Sequence, residues 1–227
     1  LQVETELSGK EIVDLEQINK FLNNLYYPLY FLDFETFTQT VPEWDDLRPY
    51  QKIPFQYSIH YIEREGEEPS HLEFLAEESS DPRRGLVDRL IRDIPEGACV
   101  LAYNKGFEKR VIRELAQQFP GCSDHLMNIH DNVMDLMVPF QKKHYYKKEM
   151  KGRYSIKAVL PALISDSPYS KMEINEGMEA SNNYKNLPSI TDSIIREKIK
   201  EDLKVYCKQD TQSMVDVLEC LKALVVA

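Results

Sequence analysis

The chain has 227 residues, 42% of them apolar and 29% charged, which suits one water-facing domain with a single core. A net charge of −10 argues against a protein that coats nucleic acid electrostatically, while leaving open a nuclease whose carboxylates are offset by bound cations. No apolar stretch is long enough for a membrane helix, no signal peptide is recognisable, and the four cysteines form neither a CxxC pair nor a zinc-like spacing.

Cys99 in an apolar run and Cys207 on a helix read as reduced packing residues, so a cytoplasmic protein is expected. The start at Leu1 rather than Met reads as a piece of a longer protein with a domain upstream. Residues 10–25 carry Ile12, Leu15, Ile18, Phe21 and Leu22 at helical spacing, making 1–27 a lead-in helical segment to a domain over 28–227. YYPLYFLDFETF follows, apolar on both parities, as a central strand buried on two faces must be. Phe55 to Ile62 and Leu72 to Leu75 are two more strands, completing an antiparallel meander. The pattern then alternates. Asp81-Pro82 opens a helix, Cys99 to Tyr103 is a short strand, Phe107 to Phe119 a helix, and Val133 to Val138 a fifth strand. Ser155 caps a helix over 156–163, residues 165–190 read as a polar loop, and a long helix covers 192–224. The expected fold is α/β, a five-stranded mixed sheet with helices on both faces.

Asp33 and Glu35 lie two apart on a strand, so their carboxylates leave one face, beside Phe31 and Phe37. Two like charges there repel, and a divalent cation resolves the conflict; the alternative is a strand end that is simply solvated. Tyr206 and Asp210 share a helix face. On the stripe Ile199, Leu203, Tyr206, Asp210, Met214, Val217, Leu221, Asp210 is the one charged member. Pairing with a nearby lysine or arginine is its alternative. Glu108 opens a helix after Asn104-Lys105-Gly106, a place where the helix dipole alone would favour a carboxylate. Asp135, on the fifth strand, is a substitute ligand. The run KKHYYKKEMKGR combines bases and rings suited to single strands, notably Lys142, Lys143, Tyr145, Tyr146 and Lys147; a solvated loop is the alternative.

The order DxE, NxxxE, YxxxD resembles the three motifs of the DEDD superfamily of 3′–5′ exonucleases, and Tyr206 resembles its tyrosine subclass. Residues 28–222 further resemble an uncharacterised prokaryotic family of nucleases, whose longer members carry a restriction-like nuclease domain upstream. This resemblance implies a ribonuclease H-like fold and hydrolysis of phosphodiesters by two divalent ions, Mg²⁺ or Mn²⁺, at single-stranded 3′ ends of DNA or RNA. It implies that Asp33, Glu35, Glu108 and Asp210 hold the metals, that Tyr206 orients the attacking water, and that Asn104, with Phe34 and Thr36 flanking Glu35, contacts substrate. Glu108 departs from the pattern, since the superfamily has aspartate there. A catalytically silent nucleic-acid-binding or scaffold module of the same fold is the competing expectation.

Overall fold

The computed structural model describes residues 9–164, 174 and 176–226. Ile12–Val13 (β1) and Leu15–Leu22 (α1) lead into Leu29–Phe37 (β2), Ile53–Ile62 (β3) and Ser70–Leu75 (β4). Pro82–Asp93 (α2), Cys99–Ala102 (β5), Gly106–Gln118 (α3), Ser123–Asp131 (α4) and Val133–Asp135 (β6) alternate next. Val138–Gln141 (α5), Tyr145–Tyr146 (β7), Ile156–Leu163 (α6), Gly177–Asn186 (α7) and Ser193–Val226 (α8) complete the order.

Five strands pair as β4-β3-β2-β5-β6. β2 runs antiparallel to β3 and parallel to β5, so the meander and the alternating half meet on the strand that carries the DxE pair. This is the expected mixed α/β sheet. Alternation along β2 sorts its two faces: Leu29 and Phe31 pack with Met214, Val217 and Leu221 of α8, whereas Tyr30, Leu32 and Phe34 pack with Leu86, Val111 and Leu126 of α2, α3 and α4. Asp33 and Glu35 continue the row of Leu29 and Phe31, so they must meet α8. A third cluster, Phe37, Phe55, Tyr184, Leu203 and Tyr206, seals that end of the sheet.

Several boundaries differ from the sequence reading. The lead-in helix starts at Leu15, where the Asp14 carboxylate accepts the Gln17 N–H at 3.1 Å; Ile12 and Val13 pair instead with Tyr146 and Tyr145. Ile18 is fully buried in the same cluster as Phe31, so the lead-in packs into the main core. The fifth strand stops at Asp135, because Pro139 begins a helical turn. The loop expected over 165–190 contains α7, whose Ala180 and Tyr184, four apart, are buried against the third cluster; residues 165–173 and 175 lie outside the described ones. Among the described residues, no helix is long and apolar enough to cross a membrane.

Candidate active site

The β2 face and the α8 stripe converge. One carboxylate oxygen from each of Asp33, Glu35 and Asp210 lies within 4.8 Å of the others. They line a cleft of about 630 Å³ together with Thr36, Lys52, Asn104, Glu108, Gly177 and Tyr206. Glu108 is buried in the first turn of α3 on the same cleft, outside the tight trio, and its Oε2 has no hydrogen-bond partner among the described residues. Burial, followed by Asp210, Glu35 and Glu108, pushes the Asp33 carboxyl well above the usual carboxylate range. Glu35 is pushed up to about 8 by burial and then Asp210, against the opposing pull of Lys157 and Lys52. Glu108 is also pushed up to about 8, chiefly by burial, with Asp135 adding to it. Three crowded carboxylates and an orphaned buried oxygen form a donor set that suits hard divalent cations, which prefer oxygen ligands.

Tyr206 sits 3% exposed beside this trio, with its hydroxyl hydrogen-bonded to Asp210 one helical turn on. Burial and the carboxylates hold the phenol protonated. Lys157 of α6 donates to the same hydroxyl oxygen at 3.3 Å and lies 5.1 Å from the ring centroid. Gly177 at the start of α7 lies against the acids: a Cβ there would stand in van der Waals contact with Glu35 Oε2 at 3.5 Å and the Tyr206 oxygen at 3.9 Å. Behind the trio, the Cys207 thiol points at Asp33 Oδ2 from 3.9 Å and burial keeps it protonated. A polar seam anchors α8 to β3: Gln56 Nε2 donates to Leu203 O at 2.9 Å, and the Thr211 hydroxyl meets Ser58 and His60, each at 2.8 Å. Thr211 is fully buried next to Asp210, so the seam fixes how deeply the acid enters the cleft.

Asn104 takes a left-handed backbone with φ 71°, a conformation asparagine tolerates, and lines the cleft. Asp135 turns out to hold that turn: its carboxylate accepts the N–H groups of Asn104 at 2.9 Å, Lys105 at 3.3 Å and Met137 at 3.0 Å. Three backbone donors thus give the carboxylate a structural role in this turn, beside the reading of Asp135 as a substitute ligand. Thr36 and Phe34 both line the cleft, and the Phe34 ring also meets Tyr57 edge-on at 6.2 Å within the cluster on the other face of β2. The basic run lies away from this cleft. None of Lys142, Lys143, Tyr145, Tyr146 and Lys147 is among the residues lining the cleft. Tyr145 and Tyr146 are 4% and 2% exposed in the core, leaving no free ring face for a base, and Lys147 lies 3.7 Å from Glu11. Lys52, Lys157, Gly177 and the Thr211 seam went unread in the sequence, because each reaches the site only through tertiary packing.

A family described as "Domain of unknown function (DUF2779)" matches residues 30–155, more than half of the chain. The chain belongs to this family. The DUF2779 match includes Asp33, Glu35, Asn104, Glu108 and Asp135, and ends before Lys157, Tyr206 and Asp210. "Uncharacterized protein UU173" of Ureaplasma parvum serovar 3 is 24% identical over 220 residues, an alignment covering 86% of this chain. The chain spans 31% of that relative's length. No solved structure matches.

Proposed function

We propose that this DUF2779 chain is a metal-dependent 3′–5′ exonuclease of the DEDD superfamily, tyrosine subclass. The observation that carries the reading is the meeting of Asp33, Glu35 and Asp210 oxygens within 4.8 Å, beside the Tyr206 hydroxyl. Asp33, Glu35 and Asp210 would hold one divalent ion, and Asp33 with Glu108 a second. Such ions supply positive charge for activating water and for offsetting charge on the scissile phosphate.

The chain's own side chains account for the rest. Tyr206 stays protonated at neutral pH, so its role is to orient the attacking water by hydrogen bonding rather than to carry charge. Lys157 fixes the phenol oxygen from one side and Asp210 fixes it from the other. Lys52 and Lys185 give the rim of the cleft positive charge for phosphate, within a protein of net charge −10.

A second reading, a silent nucleic-acid-binding module, is favoured by one observation: Glu108 stands where the superfamily has aspartate, and lies outside the trio. Digestion of 5′-labelled single-stranded DNA and RNA oligonucleotides in Mn²⁺, with Asp33→Asn in parallel, separates the two. A ladder shortening from the 3′ end in the parent alone supports the exonuclease. Intact oligonucleotides with the parent protein, at enzyme excess, support the silent module.

A further inference from the structure

A second cavity, of about 480 Å³, opens beside the acidic cleft. Lys185, on α7, lines both and so stands between the two. The strand that supplies Glu35 also supplies Phe37, whose ring closes the second cavity; at ~3.3 Å per residue the two side chains stand about 7 Å apart along β2. Trp44, from the connection between β2 and β3, stands edge-on to Phe37 at 6.2 Å. Phe37 rests on Tyr184 at 5.5 Å, and Tyr184 stacks on Phe55 at 4.0 Å. The indole is therefore held by a buried aromatic column while remaining half-buried itself, with surface open to the cavity. Glu78, the acid in this wall, has its charge offset by Lys200 at 2.9 Å and Arg196 at 3.6 Å. Glu43, the other acid lining the cavity, is exposed to solvent.

We infer that this cavity is a stacking subsite for a base upstream of the bond that is cut, with Lys185 facing the phosphate between the two sites. The inference rests on the nuclease reading and adds to it a place, the Trp44 cavity, where an unpaired base of the substrate is held. A base can stack on a fixed indole only when its own face is free, which a continuous duplex does not allow. Aromatic stacking of this kind is indifferent to sequence, so the subsite would select for single-strandedness and not for a particular base.

Trp44 is the chain's one tryptophan, which makes its emission a direct reporter. The test uses the full chain carrying Asp33→Asn, titrated with oligothymidylate of twelve nucleotides, and with a blunt duplex of the same length. Binding is followed in parallel by anisotropy of a 5′-fluorescein copy. The expected result is quenching of tryptophan emission at the same midpoint as the anisotropy change, and weaker quenching by the duplex. Trp44→Ala should weaken binding of the single strand about tenfold, and Trp44→Phe by less, since it keeps a ring. Binding without any change in tryptophan emission, or Trp44→Ala binding as tightly as the parent, overturns the subsite and leaves the nuclease reading standing. Quenching by the single strand, with no cleavage by the parent in Mn²⁺, supports the subsite and removes the nuclease reading. Absence of binding by anisotropy at high micromolar protein overturns the subsite as well.

Discussion

Asp33 and Asp210 face each other across a space too small for two unscreened charges, and this has opposite consequences for stability and for chemistry. On the proposed mechanism, Asp33→Asn or Asp210→Asn should cost about a thousandfold in cleavage rate, because the proposed cation site loses a ligand worth several kcal/mol. The same variants should melt at or above the parent's temperature in EDTA, since each removes a like charge from the cleft. A variant that loses activity together with its fold would remove the ligand assignment. Tyr206→Phe keeps the ring in the third cluster and deletes the hydroxyl, so a loss of about a hundredfold or less is expected in single-turnover cleavage. At this scale the sequence was informative where chemistry clashed with its setting. Two acids on an apolar strand face and one acid on an apolar helix stripe were conspicuous. Lys157 was not, because a lysine near the start of a helix is ordinary until the fold brings it to Tyr206. Cys207 likewise read as packing, which it is; that its thiol also points at Asp33 depends on the rotation of α8.

Among the elements, β2, β3 and α8 were legible from periodicity, since a strand buried on both faces and a seven-member apolar stripe have few other interpretations. α7 was not, because half of GMEASNNYKN (the glycine, the serine and three asparagines) favours turns and masks the helix formers among them; its packing against Phe37 and Phe55 adds the missing support. The basic run misled for a related reason. Tyr145 and Tyr146 were read with their charged neighbours, but pairing of β7 with β1 turns their rings into the core. The lead-in helix offers a direct check. Ile18→Ala removes a fully buried side chain shared by α1 and the β2–α8 cluster, and should lower unfolding stability by about 2–5 kcal/mol in a urea titration. An effect well under 1 kcal/mol would show that residues before 28 are a detachable appendage.

For the whole molecule, the raised carboxyls make stability depend on pH and on metal together. Glu35 and Glu108, each pushed to about 8, bind more protons in the folded chain than in the unfolded one. Their stabilising contribution is complete below the unfolded carboxylate range and is lost as pH rises through about 8. His60, held down to about 4 by burial, works the other way: its contribution is present above the ordinary histidine range and is lost as pH falls through about 4. Between pH 6.5 and 9 the acids dominate, so the melting temperature in EDTA should fall across that window; Mn²⁺ should reverse the fall and release protons on binding. A melting temperature that stays level in EDTA over this range would contradict the crowding of the acids. The contact between Cys207 and Asp33 joins positions 174 residues apart, with Asp210 lying further on in the chain. During synthesis at ~5–20 residues per second, β2 therefore emerges about 10–35 s before the helix that completes the acidic trio. Until then Asp210 is missing from the trio, so a nascent chain cannot assemble the arrangement described above. The proposed nuclease would thus stay inactive until α8 docks against β2.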